Sequence, residues 1–253
     1  MSRLPDHLKG LLITLVGVLF VIPDSLFVRL LDAPPIEISF WRSLTCGALL
    51  LVYVLPVYGL SGIRKAFSGG WISLVYLVAM GSTGVLFALA VRHTSVANVV
   101  IILASMPVFS ALISRVFLSE PIRLRMILTM AAVFVGLGII VYGSGETEGT
   151  SLVGDAYALA VSVIFAVALT AARSLRSVSM VPMLPVAYLA AAVVLWPFVT
   201  PTVLPSGQIN LAVLHGGFIA ISSIGLALGP RYISSAEVAL LILLESVLAP
   251  LLV

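Results

Sequence analysis

Apolar stretches long enough to cross a bilayer follow one another along almost the whole chain, parted by short breaks rich in charge, proline or glycine. A hydrocarbon core is spanned by about 20 helical residues. That length predicts spanning segments at 8–31, 36–58, 71–91, 95–118, 123–143, 152–174, 181–201, 210–229 and 233–253. The breaks are Asp32-Ala33-Pro34-Pro35, Ser61 to Gly70, Arg92-His93-Thr94, Ser119-Glu120-Pro121, Gly143 to Thr150, Ser174 to Ser179, Pro201 to Gly207 and Gly229-Pro230-Arg231. The first apolar run is longer than the core of a signal peptide and lacks a small-residue cleavage pattern, so it reads as a retained helix. No soluble domain or long linker fits between the segments. The predicted fold class is an all-α membrane protein.

Composition agrees. Hydrophobic residues make up 61% and charged residues 9%, with a mean hydropathy of +1.25, where a soluble domain carries about 25% charged residues. The lipid bilayer is therefore the main solvent of this fold. The net charge of +3 is small and does not point to nucleic acid. Its distribution is more informative. With a cytoplasmic N-terminus, ten basic residues fall inside: Arg3, Lys9, Arg64, Lys65, Arg115, Arg123, Arg125, Arg173, Arg176 and Arg231. Three (Arg29, Arg42 and Arg92) fall outside. The positive-inside rule thus predicts a multi-pass protein of a cell membrane, expected to be a bacterial inner membrane, with its N-terminus in the cytoplasm.

Two internal similarities divide the chain. Ala97-Asn98-Val99 matches Ala236-Glu237-Val238 at an offset of 139, which also pairs Arg92 with Arg231. The first segment aligns with the sixth at an offset of 144, pairing Gly10 with Gly154, Leu15 with Leu159 and Arg29 with Arg173. Segments one and four then fall on six and nine, so the repeating unit is five helices. An odd unit alternates its orientation, and two copies are inverted. The expected domains are 1–145, a first five-helix repeat, and 150–253, a second repeat without its last helix. Nine spanning helices are thus present of an expected ten, with the counterpart of 123–143 lying past Val253. Inverted repeats recur in secondary transporters, with the substrate site near the midplane between them.

A family resemblance rests on particular residues. The stretch Arg92-His93-Thr94-Ser95-Val96-Ala97-Asn98-Val99-Val100-Ile101, with Pro107-Val108-Phe109 and Phe117-Leu118-Ser119-Glu120, resembles the fourth-helix signature of EamA-type transporters of the drug/metabolite transporter superfamily. Phe40-Trp41-Arg42 resembles the start of their second helix. Gly229 to Ile233, and Ala236 to Leu241 with Leu244-Glu245, resemble their ninth. Two departures stand out. Ser246 replaces the Pro that many members carry after Leu-Glu, with Pro250 four residues on. The region from Val18-Leu19 to Pro23-Asp24 lacks the Trp-Gly common in their first helix. The resemblance implies alternating access by two five-helix bundles around one cavity.

Ionisable groups within a membrane are costly and suggest function. Asp24 follows Pro23, which removes a backbone donor and kinks a helix. Gly10, Gly17 and Asp24 share one helix face. Asp24 reads either as a cavity carboxylate or as a structural partner of Arg42 or Arg29. Arg42 reads as that partner or as a snorkelling interfacial anchor, and Trp41 beside it as part of the aromatic belt. Glu245 is the midplane candidate, facing the same way as Ser234. Asn98 and Ser105 share a face, and Glu237 is the repeat partner of Asn98. The expected substrate-binding set is Asp24, Arg42, Asn98, Ser105, Glu237 and Glu245, brought to one cavity by helices one, two, four and nine. Glu245 and Asp24 are the proton-coupling candidates, because a carboxyl cut off from water favours its neutral form. Asp155 reads as a helix N-terminal charge, and His215 as a packing residue.

No His-Glu-x-x-His, Gly-x-Ser-x-Gly or phosphate-binding glycine loop with lysine occurs, so the reading assigns no catalytic residue and no cofactor. Single Cys46 and three histidines at these spacings give no expected metal site. The favoured function is a secondary transporter exporting small organic metabolites, with protons as possible co-substrates and a homodimer left open. The alternative is a membrane-embedded enzyme or a non-transporting membrane subunit. The dispersal of single polar groups argues for the transporter.

Overall fold

A computed structural model describes residues 5–122, 124, 126–128, 130–132, 134–135, 151–200 and 207–248. All regular structure among these residues is helical. Seven helical stretches among them are long and apolar enough to cross a membrane. Most of segment 123–143, the loop to 150 and the last five residues lie outside the described residues.

Seven of the expected spans are present among the described residues, several of them broken or extended. Segment one divides into α1 (Asp6–Val21) and α2 (Asp24–Leu30). The break falls where Pro23 has no N–H and its ring displaces the helix ladder. Segment two is longer than the hydropathy predicts: α3 runs Pro35–Ala66, with Pro56 inside it and a non-helical Gly59 at φ 62°. That left-handed backbone is open to glycine without strain, so the chain bends there and stays helical through most of the expected loop at 61–70. Next come α4 (Trp71–His93), α5 (Val96–Leu103) and α6 (Met106–Leu118). The α5–α6 break in segment four lies at Ala104–Ser105, just before Pro107. The second half has α7 (Leu152–Ser174), α8 (Leu184–Leu195), α9 (Ile209–Leu228) and α10 (Ser235–Leu248).

Between helices in lipid the hydrophobic effect gives little, so close backbone approach and internal polar bonds must hold the bundle. Small residues provide that approach. A β-carbon added at Gly225 in α9 would stand 2.7 Å from the Cα of Gly17 in α1. Gly154 of α7 sits against His93 and Thr94, and Gly10 of α1 against Tyr232 and Ile233, each leaving an added β-carbon only 2.6–2.8 Å from its neighbours. The largest buried core joins α3, α4, α7, α8 and α9 through residues such as Leu50, Tyr76, Met80, Leu184 and Ile219. The outward surface is apolar, from Phe117 at 71% exposure to Leu152 at 88%. A surface of this kind suits hydrocarbon, which needs no polar cover.

Candidate functional site

Breaking the first span places an acid where a continuous helix would have placed another ladder residue. Phe27 N–H donates to the Pro23 carbonyl at 3.0 Å and starts α2, leaving Asp24 in its first turn and only 5% exposed. Two helices then converge on this carboxylate. Arg42, two turns into α3, donates from Nη2 to Asp24 Oδ2 at 3.0 Å. His215, near the start of α9, brings Nε2 to 2.5 Å from Oδ1. An ionised carboxylate only accepts, so both nitrogens donate. The α3–α9 approach that permits this comes from Gly216, whose missing side chain admits Thr45 and the Cys46 backbone. Thr45 adds a bond from its hydroxyl to the Ala212 carbonyl at 3.2 Å. Phe27 stacks on the His215 ring, with centroids 5.1 Å apart and planes 17° apart.

The pairing is incomplete. Arg42 Nε and His215 Nδ1 are buried with no hydrogen-bond partner. Arg42 Nη1 lies against Gly84, where a β-carbon would collide with it. A small recess adjoins the pair. Asp24 and Arg42 supply its charges, and Val28, Ile38, Phe87 and Val91 much of its apolar wall. Glu245, Tyr188 and Cys46 lie within electrostatic reach of Arg42, and Tyr188 bonds Ser223 at 2.7 Å. Among the described residues Glu245 has no hydrogen-bond partner.

The remaining expected site residues are engaged elsewhere. Asn98 reaches Thr94 Oγ1 at 3.4 Å and Asp155 Oδ1 at 3.5 Å, while its backbone N–H is capped by Ser95 Oγ at 3.1 Å. Ser105 donates to the Ile102 carbonyl of its own chain turn at 2.5 Å. Glu237 accepts from the N–H and hydroxyl of Ser234, at 3.0 and 2.9 Å, and lies 3.2 Å from His7 Nε2. None of Asn98, Ser105, Glu237 or Glu245 lines the recess. Asp24 and Arg42 meet at the recess and Glu245 lies within electrostatic reach of Arg42, while Asn98, Ser105 and Glu237 make the bonds given above.

At the other end of the bundle, Arg173 donates from Nε to Glu120 at 2.7 Å and from Nη1 to the Pro230 carbonyl at 3.0 Å. Arg231 donates in turn to the Arg176 carbonyl at 3.0 Å. Ser114, Thr170 and Ser235 form a buried hydroxyl cluster nearby.

A family model described as the EamA-like transporter family matches residues 8–142, more than half of the chain. The chain belongs to the EamA-like transporter family. One solved crystal structure of a protein is similar to it at a TM-score of 0.80 and 20% identity, over 97% of this chain and 87% of that one. Identity that low speaks for the fold alone. No curated protein matches the chain in sequence.

EamA-like membership makes this multi-pass helical protein a membrane transporter. For such a transporter the most informative residue absent from the expected site is His215. A lone histidine in an apolar helix reads as packing, and its ring does pack on Phe27. Depth along the helix was the available signal. His215 lies as near its helix start as Arg42 does, and α3 and α9 both lead away from the Asp24 end.

Proposed function

We propose that this chain is a secondary transporter that exports small organic metabolites by alternating access between two inverted halves, with its N-terminus in the cytoplasm. The observation carrying this reading is the buried Asp24–Arg42–His215 cluster beside a mostly apolar recess. Ionised groups are held in a membrane at high cost, and they persist where a substrate or proton path needs them. A charged pair against an apolar wall suits an amphipathic molecule.

Contacts within the bundle support the inverted arrangement. The offset of 144 carries Gly10 to Gly154, and the offset of 139 carries His93-Thr94 to Tyr232-Ile233. Gly10 packs on Tyr232-Ile233, and Gly154 packs on His93-Thr94. The same offset carries the Ser95 cap of Asn98 onto the Ser234 cap of Glu237. A two-fold exchange of repeats predicts this crossing of partners. In the N-in orientation the recess opens toward the outer half. Energy comes from the substrate gradient or from proton exchange through buried carboxyls such as Glu245 and Asp24.

Counterflow in proteoliposomes tests the reading, with a labelled panel of organic acids, amino acids, amines and nucleosides and an imposed pH gradient. Exchange of at least one compound, altered by the gradient, is expected. Uptake blind to the gradient, with Glu245→Gln and Asp24→Asn fully active, would sink proton coupling. Failure of every compound to exchange would return weight to a membrane enzyme or a non-transporting subunit.

A further inference from the structure

We propose that Arg42 is a carboxylate subsite that Asp24 fills when no substrate is bound, and that an incoming organic carboxylate replaces Asp24 as the Asp24–His215 pair takes up one proton. The proposal rests on the transporter reading and adds a substrate class and a coupling step to it.

Arg42 carries five donors in a planar fork that matches a carboxylate two bonds at a time. Here it makes one bond to Asp24, through Nη2 alone, and its Nε is buried without a partner. The pair is therefore single-bonded where an arginine favours a double one, and the guanidinium has donors in reserve. The wall that meets it is apolar, so a ligand must bring its own charge in one place and a hydrocarbon body in another. An organic carboxylate does this.

Charge balance then requires a proton. Asp24 and Arg42 neutralise each other, and Glu245 within their field is a further acid. Adding an anion to that set raises the negative charge in a region with little water, which is unfavourable unless one acid is neutralised. The groups of a relay are in contact. His215 Nε2 touches Asp24 Oδ1, and Nδ1 on the far side of the ring has no partner. A proton entering at Nδ1 lets Nε2–H pass to Oδ1. His215 ends neutral with its hydrogen on Nδ1, Asp24 ends as the neutral acid, and the net change is one proton gained. Asp24 then loses its hold on Arg42, and the substrate carboxylate takes its place. The titratable groups facing this pair are Arg42 and Cys46 from α3, Tyr188 from α8 and Glu245 from α10. Neither Cys46 nor Tyr188 stands between His215 and Asp24.

The test is binding to the full chain in lipid nanodiscs by calorimetry in buffers of differing ionisation enthalpy. The probes are straight and branched carboxylic acids of two to eight carbons, typified by 4-methylpentanoate, with 4-methylpentanamide as the neutral isostere. The acid is expected to bind at least about tenfold more tightly than the amide, the worth of a charge-assisted pair, and to take up about one proton per molecule as the balance above requires. Arg42→Gln should remove acid binding. Asp24→Asn mimics the neutral acid, so it should still bind 4-methylpentanoate and do so without proton uptake. A merely structural role for Asp24 predicts the reverse, with binding lost in both variants although each stays folded by thermal melting. That result, equal affinity for acid and amide, or no binding by any acid overturns the proposal. Counterflow on the broader panel judges the transporter reading separately, since amines or nucleosides moving without acids would defeat the subsite and leave the transporter intact.

Discussion

Two arginine–carboxylate pairs stand near opposite ends of the bundle and differ in how fully the arginine is used. Arg42 meets Asp24 beside the recess formed by α2, the start of α3 and the end of α4. The chain then turns at Thr94 and runs back through α5 and α6, so Glu120 and its partner Arg173 lie at the far end. Arg173 is tied to a side chain and to the Pro230 carbonyl, and the neighbouring Arg231 returns a bond to Arg176. Those bonds join the end of α6, the end of α7 and the turn into α10. Arg42 instead leaves its Nε buried with no partner. The first pair resembles a receptor held shut by its own carboxylate, and the second a latch between helices. The proposed alternating access would use both kinds of contact, one to accept cargo and one to break when the far end opens.

The comparison is most sharply broken by removing the acid at each end. Asp24→Ala strands a buried guanidinium and is expected to cost about 3–5 kcal/mol in thermal unfolding in lipid, the usual penalty for half of a buried ion pair. Asp24→Asn, which keeps the shape, should cost clearly less. Glu120→Gln at the more exposed far end should cost about 1–2 kcal/mol and raise amide hydrogen exchange around 229–235 with no matching rise around Asp24. A loss at Glu120 as large as at Asp24 would remove the distinction. The two serine caps provide a control that should not distinguish the ends. Ser95→Ala and Ser234→Ala are each expected to cost about 1 kcal/mol, the worth of a helix cap. The smallest effect on stability is expected from Gly84→Ala, under about 1 kcal/mol, because the added methyl meets the movable end of Arg42 and not backbone. It should nevertheless weaken ligand binding at the recess, which titration of the variant would detect.

Much of this architecture was readable from hydropathy, because a 20-residue apolar run in lipid has few options besides a helix. The break at Pro23 was also readable, since proline cannot supply the missing bond. The bend at Gly59 was not, because a single glycine in an apolar run has no distinct signature. Asp24 and Arg42 could be paired by their shared depth and opposite charge. Asn98 and Glu237 each stand three residues after a serine, Ser95 and Ser234. That spacing marks a cap satisfying free N–H groups at a helix start, and both caps form. His215 reads as packing from the sequence because its partner Asp24 is 191 positions away. The approach of α3 and α9 through Gly216 exists only in the folded bundle.

The central claim is that the Asp24–Arg42–His215 cluster lies on the transport path. It is tested most directly by counterflow of the labelled panel in proteoliposomes carrying either the unaltered chain or Arg42→Gln, with folding matched by thermal melting. The account predicts exchange of at least one small organic compound by the unaltered chain and its loss in Arg42→Gln. Exchange at an undiminished rate in Arg42→Gln would contradict it.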